Sequence, residues 1–216
     1  MNACLLAACL LGADAEKPLQ ADLSVKVWSV KDDDRRGIDL FDKRAMPLRE
    51  DELIQVHVKL NRKAHFYILW IDGQGKVDAF HPWDREDDQL AAKPIPPTKP
   101  TKALSLPPAA DQGYPMDGPS GLETILLLAR EKPLPKGFKL EALGEDLGAS
   151  KLRETDEAVR LVLHKGVWQE KQFRCIGRKE DEASEKIDAP LKKLMERAGK
   201  HFDLVQAVRF AYKGER

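Results

Sequence analysis

The chain has 216 residues, 42% hydrophobic and 33% charged, with 36 lysines and arginines against 36 aspartates and glutamates. That length and apolar fraction suit one folded domain with a sizeable core and exclude a disordered chain. A formal net charge of zero argues against a nucleic-acid partner, which calls for a basic excess over phosphate, and no apolar run reaches the ~18 residues of a membrane-spanning helix.

Taken in chain order, the first element is an apolar run from Ala3 to Leu11, followed by Gly12-Ala13-Asp14-Ala15. Such a run before an A-x-A site reads as the hydrophobic and cleavage regions of a signal peptide, although the positive n-region is missing. Residues 1–15 are therefore expected to be a leader, and the chain to act in the periplasm or cell envelope. A misassigned start would make it cytoplasmic instead. Leu6-Ala7-Ala8-Cys9 also matches a lipoprotein box, which makes Cys9 a candidate lipid anchor. With Cys4 and Cys9 in the leader, only Cys175 would remain, so no internal disulfide is expected.

Leu23 to Val27 alternates apolar and polar residues, the period of a half-buried strand. After the charged stretch Lys31 to Arg36 comes Ile54 to Leu60, with Ile54, Val56, Val58 and Leu60 on one face and Gln55, His57 and Lys59 on the other. Ala64 to Asp72 is read as the next strand, apolar on both faces and so suited to a central position covered on both sides. Asp72-Gly73-Gln74-Gly75 is a turn, and Lys76 to Phe80 the return strand of a hairpin. His81-Pro82-Trp83 ends it, because proline lacks a ladder donor. Asp84 to Gly121 is expected to be a long proline-rich loop with one short strand at Ala103 to Leu106.

Gly121 to Arg130 is ambiguous: Ser120 with Glu123 forms a capping box, but Pro119 and Pro133 bracket a short apolar run that suits a buried strand. Lys139 to Leu147 suits a short helix. Ala158 to His164 and Val167 to Ile176 form a second hairpin around Lys165-Gly166. Asp188-Ala189-Pro190 starts a helix striped by Leu191, Leu194, Met195 and Ala198 and closed by Gly199. Val205 to Tyr212 is a final strand. About eight strands with hairpin connections imply a mainly β chain: an antiparallel β-sandwich-like domain over residues 22–214, with one C-terminal helix and a long proline-rich loop.

Pro47-Leu48-Arg49-Glu50-Asp51, Tyr67 to Asp72, Gly75-Lys76-Val77, His81-Pro82-Trp83 and Gly121-Leu122-Glu123-Thr124 follow one another in an order that resembles an uncharacterised bacterial family, the domain of unknown function numbered four-three-eight-four. The resemblance covers roughly Asp22 to Pro133, and Ala158 to Gly214 is similar to extensions of planctomycete-type members, so 134–214 is expected to pack on the family domain. It implies a sandwich-like β domain and a strand at Thr124 to Ala129. Relatives sit beside serine/threonine kinase or caspase-like modules, or follow an export signal. No activity is established for the family, so the resemblance carries over no catalytic residue.

The residues themselves show no Walker loop, G-x-G-x-x-G, H-E-x-x-H or G-x-S-x-G motif. His57, His65 and His81 would need adjacent strands to converge on a metal, and none has a partner at ligand spacing. Solvated strand histidines are the plainer account, and no metal or cofactor is expected. Cys175 with His164 as its base is the one nucleophile pair, but Cys175 shares the parity of Phe173 and is expected in the core. Asp32-Asp33-Asp34 and the acids between Asp84 and Asp88 offer oxygens for calcium without a calcium-loop spacing. Trp28 and Trp70 lie on strands, with Trp70 read as core.

Exposed aromatics are the remaining candidates. Trp83 sits at a strand end between His81 and Arg85, and Tyr114 farther along the loop. Aromatic faces at such sites anchor partners, whereas the plainer role for Trp83 is to plug one end of the sandwich. The sequence thus points to a non-enzymatic binding or accessory module that recognises a protein or peptide through His81, Trp83, Arg85 and Tyr114. The alternatives are a cytoplasmic sensory or docking domain of a serine/threonine kinase pathway, and a hydrolase whose acids meet only in the fold.

Overall fold

The structure is a computed structural model, described for residues 17–29, 31–32, 36–45, 48–82, 99–109, 112–116, 120–135, 137–138, 140, 143, 158–169 and 189–214. The leader at 1–15, Trp83, Arg85, the acidic stretch 84–88, Cys175 and the N-cap Asp188 lie outside these residues, as does most of 139–147.

The strands are β1 (Ala21–Ser29), β2 (Arg36–Asp39), β3 (Leu48–Arg49), β4 (Glu52–Ile71), β5 (Val77–His81), β6 (Thr101–Leu106), β7 (Tyr114–Pro115), β8 (Gly121–Arg130), β9 (Ala158–His164), β10 (Val167–Trp168) and β11 (Leu204–Lys213). Among the described residues one α-helix, α1 (Ala189–Ala198), precedes β11. The fold is mainly antiparallel β and sandwich-like; the only parallel pair among the described residues is β3 with β11.

The two expected strands at Ile54 to Leu60 and Ala64 to Asp72 are a single strand, β4, of 20 residues. Its first half lies in a sheet with β1 and β2 on one side and β6 and β7 on the other. Its second half lies in another sheet, between β5 and the series β8, β11, β9, β10. The polar triplet Asn61-Arg62-Lys63, which falls between the two expected strands, is the crossover. The β1 ladder ends at Leu60 and the β8 ladder starts at His65. Here the Asn61 amide donates to the Pro18 carbonyl at 2.9 Å, and Arg62 donates to the Lys17 carbonyl and the Glu131 carboxylate.

Folding β4 back on itself lays the two sheets face to face. Leu23, Val25 and Val27 of β1 and Ile54, Val56, Val58 and Leu60 of β4 pack against Phe66, Ile68, Ile125, Leu127, Val208 and Phe210 of the second sheet. Period-two alternation makes this possible, since each strand sends alternate side chains inward. The second sheet is also covered on its far face. Tyr67, Leu69, Leu126, Leu128, Leu161 and Leu163 meet Leu191, Leu194, Met195 and Ala198 of α1. The strand apolar on both faces is therefore covered on both sides.

Residues 121–130 resolve as strand β8 rather than helix. Ser120 does not cap; its hydroxyl donates to the Gly214 carbonyl at 3.2 Å. The loop expected from Asp84 to Gly121 contains β6, which starts at Thr101, and the short β7, so Tyr114 is a strand residue. His81 likewise ends β5 from inside it. The hairpin turns at Lys165-Gly166 as expected, with Val167–Trp168 as the described part of its second arm and 170–176 outside the described residues, and the helix stripe is as expected.

Candidate functional site

The β4–β5 hairpin sets the site. Asp72 accepts hydrogen bonds from the backbone N–H groups of Gln74 and Lys76 at 2.9 and 2.8 Å, and Gly75 takes a φ of +83°, which glycine adopts at least cost. Down the ladder Ile71 pairs Val77, Trp70 pairs Asp78 and Leu69 pairs Ala79, but Ile68 pairs His81. Phe80 is therefore the extra residue of a bulge, and a bulge re-aims side chains. Phe80 keeps the inward face of Trp70 by alternation, and the bulge turns His81 toward the inter-sheet core as well. Phe80 meets Trp70 edge-on at 5.4 Å between ring centroids, and His81 lies 5.2 Å from the ring of buried Phe66.

From the other sheet, β7 brings Tyr114 opposite Ile54, with its ring 4.3 Å from that of Phe80. Ile54 and Trp70 lie equally far along β4 from Arg62, so the row Trp70–Phe80–Tyr114 stands at the end of the sandwich remote from the crossover. All three rings and His81 are half-buried. Burial pushes His81 down to about 4, so at neutral pH the imidazole is uncharged and adds an aromatic face with no positive charge. Of the residues expected from sequence, Tyr114 meets Phe80 and His81 follows Phe80 in the chain against Phe66, while Trp83 and Arg85 lie outside the described residues. Phe80 was missed, because a strand phenylalanine is most simply read as core. Trp70 does pack on the core but keeps a half-exposed edge.

Glu123, read as half of a capping box, is a second missed residue. It is 2% exposed and accepts hydrogen bonds from the Trp70 indole at 2.5 Å and the Gly73 backbone at 3.0 Å. A carboxylate inside an apolar strand was the available signal, since such groups persist only when paired.

The remaining candidates do not converge. His57 Nδ1 lies 3.0 Å from Ser105 Oγ on the outer face of the first sheet, and burial, then Lys26, holds its pKa below the usual value. Its Nε2 has no hydrogen-bond partner among the described residues. His65 opens the second half of β4 opposite Arg130, and His164 lines a cavity of about 120 Å³ with Pro18, Gln20, Val162, Gln169 and Leu204. That volume suits a few waters and falls short of the ~300 Å³ of small-molecule sites. Among the described residues no three histidine, cysteine, aspartate or glutamate side chains group closely enough to hold a metal ion, and no helix is long and apolar enough to cross a membrane.

Residues 47–133 match the model of a family described as a domain of unknown function, DUF4384. The match begins at Pro47, later than the Asp22 suggested by the sequence motifs, and contains the whole aromatic row together with Gly73, Gly121 and Glu123. No curated protein and no solved structure matches the chain.

Proposed function

We propose, for a chain whose residues 47–133 carry a DUF4384 domain, a non-catalytic binding or accessory module that acts at the cell envelope and recognises a protein or peptide partner. The observation that carries this reading is the row Trp70–Phe80–Tyr114, three rings joined through Phe80 and left half-exposed beside β5, which among the described residues is hydrogen-bonded on one side only. Large rings bury much area at little entropic cost and dominate the energetics of protein interfaces. Neutral His81 follows Phe80 in the chain and packs on Phe66, and Trp83 and Arg85 come soon after it in the sequence. Export rests on the apolar run before Ala15.

Selection of twelve-residue peptides displayed on phage against the immobilised full chain tests the reading. Tyr114→Ala should weaken the selected peptides at least about tenfold, the effect expected of an aromatic anchor, with the fold intact by circular dichroism. Trp83→Ala should also weaken capture, whereas Lys59→Ala, on the outer face of the other sheet, should not. Unchanged binding by a folded Tyr114→Ala variant would remove the site.

A further inference from the structure

Glu123 stands where the β4–β8 ladder stops. The last backbone pair is Ile71 with Thr124, after which β4 leaves the sheet for the Asp72–Gly75 turn. The side chain takes over from the ladder: one carboxylate oxygen receives the Gly73 N–H at 3.0 Å and the other the Trp70 indole N–H at 2.5 Å. The turn can come this close because Gly73 and Gly121 touch through their backbones. A Cβ on Gly73 would stand 2.9 Å from the Gly121 Cα, and one on Gly121 would stand 2.7 Å from the Gly73 Cα.

Two donors converge on Glu123, so a group with two acceptor oxygens serves both. A glutamine offers one acceptor and turns its NH₂ against the second donor. An aspartate keeps both oxygens but is one methylene shorter. An apolar residue leaves two N–H groups without an acceptor. The chemistry therefore specifies glutamate at this position, and its hydrogen bond fixes the edge of the ring against which Phe80 packs at 5.4 Å, with Tyr114 beyond.

We infer that Glu123 is the positioning residue of the aromatic row, acting on partner binding through the Trp70 indole. The inference rests on the reading of that row as a binding site. The test is a double-mutant cycle on the full chain, with affinity measured for one phage-selected peptide. The Trp70 indole ¹H–¹⁵N signal, identified by its loss in Trp70→Phe, serves as the structural readout. Glu123→Gln should move that signal upfield and weaken the peptide at least about fivefold, and in a Trp70→Phe background it should cause no further loss, because coupled residues are non-additive. If Glu123→Gln does not fold, Glu123→Asp takes its place in the same cycle.

Additive effects, or a lowered melting temperature with unchanged peptide affinity, would overturn the inference and leave Glu123 a purely structural residue. Failure of the underlying reading looks different: Tyr114→Ala would then bind the peptide as the parent does, whatever Glu123 variants do.

Discussion

The two halves of β4 obey different rules. From Ile54 to Leu60 buried apolar residues alternate with polar ones, of which Gln55 is buried with its amide on the Gln112 carbonyl while His57 is half-buried and Lys59 exposed, whereas Phe66, Tyr67, Ile68 and Leu69 form an unbroken buried apolar run. Backbone and pairing are the same in kind, so the difference comes from what lies on the far face. The first half belongs to a sheet that buries one face; the second belongs to a sheet covered by the first sheet on one side and by α1 on the other. An unbroken apolar strand is thus a statement about layers, and the polar crossover Asn61-Arg62-Lys63 marks where the number of layers changes.

The contrast breaks most readily at the buried far face. Leu128→Ala, on the α1 side of β8 and fully buried, should cost about 3 kcal/mol in urea unfolding, as large-to-small core changes do. A cost near that of a surface change would mean that α1 does not cover the sheet. Next is Gly121→Ala, whose Cβ would meet the Gly73 backbone. It should cost about 2 kcal/mol, as overpacking does, and an unaffected melting temperature would contradict the close approach.

Acid sharpens the comparison. His81 between the sheets is held at about 4 by burial, and burial also holds His57 and His164 below the ordinary value. The unfolded chain therefore binds these protons first as pH falls. Stability from this source is complete above pH ~6.5 and declines towards pH ~4, by on the order of 2 kcal/mol for half-exposed His81. Urea midpoints at pH 7 and pH 4.5 measure the loss, and His81→Phe should flatten it more than His57→Gln does. The smallest effect is expected on the open face, where Lys59→Ala should change stability by less than about 0.5 kcal/mol.

Much of this fold is legible because burial writes period two into strands such as β1 and the first half of β4, and covering on both faces writes continuous apolar runs into the second half and β8. What the sequence hides is long-range. Nothing local says that Asn61-Arg62-Lys63 continues a strand, since its partners include Lys17, Pro18, Gln20 and Glu131. The capping-box pattern at Ser120 and Glu123 misleads because the glutamate's true partners, Trp70 and Gly73, are some fifty residues away. His81 and Tyr114 are recognisable as candidates by residue type and position near proline-rich chain. Phe80 is not, because a strand phenylalanine reads as core and its contact with Tyr114 is long-range.

The central claim, that the half-exposed row at the end of the sandwich receives a partner, is tested most directly by titrating the ¹⁵N-labelled chain with a phage-selected peptide and mapping amide and indole shifts. The account predicts the largest changes at the Trp70 indole and at Phe80, His81 and Tyr114. Shifts gathered instead at Ser24, Lys26 and His57, on the outer face of the first sheet, would contradict it.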